Sequence, residues 1–152
     1  IGYADADWGG DLNDRKSNTG FCFKYLGSPI SWVSRKQTMV TLSSTEAEYI
    51  ALVEAVQEAL WILRILKDLD QELKKPIIIY EDNQSCIRIL QNDRCSQRTK
   101  HIDTKYHFIR NLYRSGEIDV RYCPSEKMIA DLLTKPLGPI KIKQLAQDIG
   151  LF

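Results

Sequence analysis

Three acidic residues stand within or at the ends of segments predicted to be regular structure. Asp5 lies in an alternating segment at the start of the chain, and Asp82 follows a short apolar segment at 77–80. Aspartate is disfavoured in strands, and a buried carboxylate without a partner is costly, so both positions suggest a shared cation. Hard carboxylate oxygens favour Mg²⁺ or Mn²⁺ over zinc. Glu48 heads an apolar stripe at helical spacing formed by Leu52, Ala55, Ala59, Ile62 and Leu66.

Each of these residues also allows a simpler interpretation. Asp7 falls on the same strand face as Asp5, and periodicity does not choose between them. Glu48 would also suit a partly exposed first helical turn, where a carboxylate stabilises the helix dipole. Asp82 with Asn83 is a common way to end a strand. Asp131 is not distinguished by its spacing, and the residues around it favour a solvated helical aspartate.

The elements that must position these residues follow the order β-β-β-α-β-α-α-β-α. Ser43 and Glu46 have the spacing of a capping box, which predicts a long helix from about 44 to 69. Gly27-Ser28 is a connector short enough for a hairpin. This order predicts an α/β fold with a mixed sheet and helices on its faces. The remaining predicted segments are strands at 1–8, 20–26, 29–36, 77–80 and 117–123, and helices at 84–91, 101–114 and 124–134.

Composition narrows the class of protein without assigning a function. The 152 residues are enough for one domain, and 21 basic against 20 acidic residues give no overall basic excess. No apolar stretch is long enough to span a membrane, so we expect no membrane association. We also expect no small-molecule cofactor. The cysteines lack the close pairing of zinc sites, and we predict buried free thiols at Cys22, Cys86, Cys95 and Cys123.

Basic residues are locally concentrated between residues 93 and 114. Six of them stand against two acids, interleaved with Tyr106, Phe108 and Tyr113, which suggests a surface that follows phosphates. The alternative is a solvated helix face whose aromatic residues belong to the core. Trp8, Trp32 and Trp61 are predicted to be core residues rather than platforms for stacked bases. The basic residues are Arg94, Arg98, Lys100, Lys105, Arg110 and Arg114.

Five longer motifs give the chain a specific resemblance. It resembles the ribonuclease H segment of Ty1/copia-type retrotransposon Pol polyproteins, including insect copia-like elements. The motifs occur in the family's order and cover nearly all of residues 1–138, which we interpret as the ribonuclease H domain, with 139–152 as a C-terminal tail that holds at most a short helix. They are YADADWGG, SSTEAEYIAL, IYEDNQS, RTKHIDTKYHFIR and ADLLTKPL.

The resemblance implies a ribonuclease H-like fold with a five-stranded mixed sheet in the order 3-2-1-4-5, the first three strands antiparallel. It selects Asp5 over Asp7 and adds Asp131, so that the catalytic metal ligands are Asp5, Glu48, Asp82 and Asp131. Two Mg²⁺ or Mn²⁺ ions about 4 Å apart would then hydrolyse the RNA strand of an RNA/DNA hybrid. Gln84 resembles a residue that contacts the hybrid's minor groove. The full set of expected nucleic-acid contacts is Asn83, Gln84, Arg94, Arg98, Lys100 and Lys105.

The same resemblance implies a biological setting and leaves alternatives. The expected partner is the reverse transcriptase domain of the same polyprotein, in the cytoplasm within virus-like particles or in the nucleus. One departure is that Cys123–Lys127 bridges the last strand and last helix without the histidine-bearing loop of cellular ribonucleases H. A catalytically weak or domesticated module that only binds hybrids is one alternative. A transposase or integrase core acting on DNA ends is another.

Overall fold

Five β-strands, five α-helices and one 3₁₀ helix are seen in the computed structural model, which describes residues 1–71, 75–92 and 103–151, with side chains in the last range from residue 106 onward. The strands are β1 (Gly2–Asp7), β2 (Asn18–Tyr25), β3 (Ser28–Lys36), β4 (Ile77–Glu81) and β5 (Ile118–Tyr122). The α-helices are α1 (Ser44–Asp68), α2 (Gln84–Gln91), α3 (Asp103–Arg114), α4 (Asp131–Thr134) and α5 (Pro139–Ile149).

The strands form one mixed sheet in the order β3-β2-β1-β4-β5. β1 pairs antiparallel with β2, and β2 pairs antiparallel with β3. β4 runs parallel to both β1 and β5. The predicted α/β fold, strand order and antiparallel first three strands are therefore confirmed.

Alternating side chains divide the core between the two faces of the sheet. Ala4, Phe21 and Ile79 pack on one face with buried residues of α1, α2 and α3. Cys22 packs on the other face with Leu145 and Ile149 of α5. The long helix begins as predicted, since the Ser43 side chain accepts from the Glu46 N–H at 3.2 Å.

Two predicted boundaries are wrong. The β2–β3 hairpin turns on Leu26 and Gly27, whose φ angles are 50° and 86°, rather than on Gly27-Ser28. The predicted helix at 124–134 is broken into a 3₁₀ turn at Ser125–Lys127 and the four-residue α4. The break has a packing reason, because the consecutive residues Met128, Ile129 and Ala130 are all buried.

The predicted core positions of the three tryptophans are also wrong. Trp8, Trp32 and Trp61 are 52%, 60% and 55% exposed. The small residues Ala47, Ala51, Ala55 and Ala59 let α1 lie close to the sheet, and Phe21 and Phe23 fill the space beneath it. Large indole rings are therefore left outside.

The structure also bears on the predictions for the aromatic residues of α3, the cysteines and membrane-spanning segments. Tyr106 is buried and Phe108 is 38% exposed, so the aromatic residues of α3 divide between core and surface. Cys22, Cys86 and Cys123 are buried free thiols, and Cys95 lies outside the described residues. Among the helices that the structure describes, none combines the length and apolar character needed to cross a membrane.

Candidate metal centre

Three carboxylates converge at the edge of the sheet where β1 and β4 end. One oxygen from each of Asp5, Glu48 and Asp82 lies within 4.8 Å of the other two. Asp5 is fully buried, Glu48 is nearly so, and Asp82 is partly exposed. Asp7, the alternative on the same strand, is partly exposed and is not a member of this group.

The backbone of β1 holds Glu48 in the group. The paired register between β1 and β4 ends at Tyr3 and Tyr80, and beyond it the Ala6 N–H donates to Glu48 Oε2 at 2.7 Å. Ala6 packs against Ala47 and Ala51, which lets α1 approach the strand closely. The Glu48 side chain thus reaches from the α1 face of the sheet into the gap between β1 and β4. The Asp5 side chain reaches the same gap from the opposite face.

Helix α4 holds Asp5 from the other side. The Thr134 hydroxyl donates to Asp5 Oδ2, and the Lys135 ammonium lies 3.4 Å from Asp5 Oδ1. Gly20 is paired with Asp5 across the sheet, and a Cβ there would lie only 2.5 Å from Thr134 Cγ2. The glycine therefore permits the close approach of α4 to the site.

Asp131 lies beside the group of three carboxylates without joining it. Its side chain is buried, and its Oδ1 lies 2.8 Å from Lys135 Nζ. Its other oxygen pairs with Lys141 of α5. A lysine ammonium thus lies between two of the predicted metal ligands, Asp5 of β1 and Asp131 of α4.

Glu81 is a further buried carboxyl group that the sequence reasoning missed. It is fully buried, Oε1 accepts from the Asn83 N–H at 3.0 Å, and Oε2 has no hydrogen-bond partner among the described residues. Burial raises the pKa of Glu81 well above its ordinary value, and the carboxylates of Asp82 and Asp5 add to the shift. Strand alternation was a usable signal, because it places Glu81 on the same core face as Ile79.

The acidic groups of the site raise one another's pKa. Burial raises the pKa of Asp5 to about 6, although Lys135 and Thr134 oppose the shift. Burial also raises the pKa of Glu48, and Glu81 and Asp5 raise it further. A nearby divalent cation favours the ionised forms of these carboxyl groups. The repulsion between the carboxylates is therefore compensated best when such an ion is bound.

The donor set fits a hard divalent cation. The converging ligand atoms are all carboxylate oxygens, which suit Mg²⁺ or Mn²⁺. The buried Oε2 of Glu81, the residue before Asp82 in sequence, has no hydrogen-bond partner in the described part of the chain. Asp5, Glu48 and Asp82 are therefore the residues positioned to hold a metal ion.

The predicted nucleic-acid contacts are described only in part. Asn83 caps α2, its Oδ1 accepting from the Cys86 N–H at 3.0 Å, and Gln84 is exposed at the first residue of that helix. Arg94, Arg98 and Lys100 lie outside the described residues, as does the side chain of Lys105 in α3.

The Cys123–Lys127 segment, which contains no histidine, lies beside Asp82. In this connection between β5 and α4, the Ser125 hydroxyl donates to Asp82 Oδ2 at 2.7 Å. A neutral hydroxyl group therefore orients the most exposed of the three converging carboxylates.

Comparison with known proteins gives relatives in sequence and in fold. No family model matches the chain. It is 40% identical over 150 residues to the retrovirus-related Pol polyprotein from transposon TNT 1-94 of Nicotiana tabacum, covering 99% of this chain and 11% of that protein. It is 41% identical over 150 residues to the retrovirus-related Pol polyprotein from transposon RE2 of Arabidopsis thaliana, covering 98% of this chain and 10% of that protein.

A solved structure shares the fold at low sequence identity. LC11-RNase H1 in complex with an RNA/DNA hybrid matches with a TM-score of 0.62 and 17% identity, over 88% of this chain and 92% of that one. The chain spans about a tenth of the length of the Pol relatives named above. Both of those relatives come from plants, and the resemblance to insect elements stays a prediction.

Proposed function

We propose that this chain, which is about 40% identical to segments of Pol polyproteins from copia-type transposons and shares the ribonuclease H fold, hydrolyses the RNA strand of RNA/DNA hybrids. The observation that carries the proposal is the convergence of Asp5, Glu48 and Asp82 where β1 and β4 end. Ligand sites of open α/β sheets lie outside the carboxyl ends of the strands, where the strand order reverses.

The acidic residues act as ligands rather than as nucleophiles in this proposal. Asp5, Glu48 and Asp82 would hold the divalent ions, and Asp131 would complete the set of four. Two bound Mg²⁺ or Mn²⁺ ions would supply an activated water and neutralise the charge that develops on the leaving oxygen. The protein's part is to hold the carboxylates in place, through the Ala6 N–H on Glu48 and the hydroxyls of Thr134 and Ser125.

The proposed ligand is an RNA/DNA hybrid and the proposed partner is a reverse transcriptase domain. LC11-RNase H1, which shares the fold, was solved with such a hybrid. Gln84 is exposed and lies two residues after Asp82. From there it would contact the nucleic-acid strand whose phosphate is bound at the metal site. The Pol relatives support a neighbouring reverse transcriptase in the same polyprotein. The proposed location, in the cytoplasm within virus-like particles or in the nucleus, stays a prediction.

A cleavage assay with Asp82→Asn tests the proposal. The substrate is a hybrid with labelled RNA, incubated with Mg²⁺ or Mn²⁺, and Asp68→Asn is the control because Asp68 is exposed on α1. We expect wild type and the control to cut the RNA and spare the DNA. Asp82→Asn should be slower by about 100-fold or more, because losing a metal ligand removes several kcal/mol of transition-state stabilisation.

The alternatives predict different results in the same experiment. Equal cleavage by wild type and Asp82→Asn would contradict the active-site assignment. Tight hybrid binding without turnover in Mn²⁺ would favour a module that only binds. Joining of DNA ends, assayed in parallel, would favour a transposase or integrase core.

A further inference from the structure

Lys135 is the cation shared by two buried carboxylates of the candidate metal centre. Its ammonium lies 2.8 Å from Asp131 Oδ1 and 3.4 Å from Asp5 Oδ2. The side chains of both aspartates are 1% exposed, whereas that of Lys135 is 31% exposed.

The second lysine at the site has a different position. Lys141 lies on α5 and pairs with the other oxygen of Asp131. It therefore neutralises Asp131 from outside, while Lys135 lies on the side that faces Asp5. A divalent ion held by Asp5 and Asp131 would compete with the Lys135 ammonium for the same carboxylate oxygens.

We propose that Lys135 is a displaceable counter-ion, which holds Asp5 and Asp131 together in the metal-free protein and withdraws when a divalent ion binds between them. This inference rests on the proposed function, because it assumes that these carboxylates bind metal. A lysine suits the role, since its ammonium is compact and its four-carbon stem is flexible. Lys135 follows the last residue of α4 and is partly exposed, so its side chain can turn to solvent without moving the helix.

The counter-ion has two opposite effects. In the metal-free protein it stabilises the fold, because two buried carboxylates would otherwise repel each other without compensation. During metal binding it competes with the incoming ion and weakens its affinity. Lys135 therefore raises the concentration of divalent ion at which the fourth ligand is occupied.

Mn²⁺ binding to variants of the full chain, measured by calorimetry without nucleic acid, tests this role. Lys135→Met removes the charge and keeps the length of the side chain, Lys135→Arg keeps the charge, and Lys141→Met is the matched control. We expect Lys135→Met to bind Mn²⁺ about tenfold more tightly than wild type, the size expected from losing partly exposed ion pairs to two carboxylates. Lys135→Arg should bind like wild type, and Lys141→Met should change affinity less than Lys135→Met.

Melting temperatures supply a second readout. Lys135→Met should melt below wild type in chelator and regain the difference in saturating Mn²⁺. Equal or weaker Mn²⁺ binding by folded Lys135→Met would overturn the counter-ion role, even if cleavage is lost. Absence of Mn²⁺ binding in both wild type and Lys135→Met would overturn the proposed metal site together with this inference.

A measurement on wild type keeps the test independent of whether the variants fold. With lysines labelled at Cε with ¹³C, the Lys135 resonance should move toward the range of exposed lysines as Mg²⁺ is added. The Lys24 resonance provides an internal reference, because Lys24 bonds to the Asp148 carbonyl at the far end of α5. A Lys135 resonance that stays fixed at Mg²⁺ saturation would contradict displacement.

Discussion

At the scale of single residues, Glu81 places another carboxyl group against those of the candidate metal centre. It is fully buried and electrostatically linked to Asp5, Glu48 and Asp82. Because its folded-state pKa is raised above the unfolded value of 4.5, the folded protein binds this proton more tightly than the unfolded chain does. The resulting stabilisation is present below pH 4.5 and is lost as pH rises toward the folded-state pKa.

Replacing Glu81 with glutamine should remove that pH dependence. In chelator, the free energy of unfolding of Glu81→Gln relative to wild type should rise between pH 5 and 8, by about 1.4 kcal/mol per pH unit at most. Denaturant titration at several pH values measures it. Asp68→Asn removes an exposed carboxylate and should show a nearly constant difference over the same range. A constant difference for Glu81→Gln as well would mean that Glu81 is already ionised in the folded protein.

The sequence predicted part of this site for a physical reason. Asp5 and Asp82 stand out because carboxylates are unfavourable in strands, and Glu48 because it heads an apolar stripe. Lys135 could not be found this way, since its contact with Asp5 joins residues 130 positions apart. That contact depends on how α4 packs against the sheet, which no local spacing encodes.

At the scale of elements, Gly20 controls the distance between α4 and the sheet. A Cβ at this position would lie 2.5 Å from Thr134 Cγ2 and 2.9 Å from Leu133 Cβ. Gly20→Ala should push α4 outward, lower the free energy of unfolding by about 1–3 kcal/mol and weaken Mn²⁺ binding. Gly138→Ala is the matched control, because nothing lies within 4 Å of its Cβ and its φ is −66°. Unchanged Mn²⁺ affinity in Gly20→Ala would show that the position of α4 does not affect the metal centre.

The β2–β3 hairpin contains a residue in an unfavourable backbone conformation. Leu26 has a φ of 50° and is 89% exposed, so its side chain gains little burial. Asparagine tolerates this conformation better and is favoured before glycine in two-residue hairpin turns. Leu26→Asn should raise the free energy of unfolding by about 1 kcal/mol, measured by denaturant titration. Leu12→Asn, at another exposed leucine, controls for the change in surface polarity, and an equal effect there would contradict the backbone explanation.

Elements were predicted better than their ends. The mixed sheet and the long α1 follow from periodicity and a capping signal, which are local. The hairpin was misplaced by one residue because strand pairing ends at Tyr25 and Ser28, which leaves Leu26 and Gly27 in the turn. The break before α4 depends on the burial of Met128 against Tyr3 and Tyr80, a contact between distant segments.

At the scale of the whole molecule, α5 connects the tail to both the core and the metal centre. Leu145 and Ile149 are buried against Cys22 and Ile129, while Lys141 pairs with Asp131. The motif resemblance ends near residue 138, and for that reason the tail was predicted to be separate. Its packing gives residues 139–152 a role in stability that the motifs do not reveal.

Truncation after Gly138 should therefore lower the free energy of unfolding of the protein. Removing α5 exposes the surface that Leu145, Ala146 and Ile149 cover, and should lower the free energy of unfolding by about 4 kcal/mol or more. Ile140→Ser is the control, because Ile140 is 85% exposed on the same helix and its replacement should cost little. Thermal and denaturant unfolding in chelator separate this packing effect from any contribution of bound metal. A truncated chain that unfolds at the wild-type denaturant concentration would support the predicted domain boundary at residue 138.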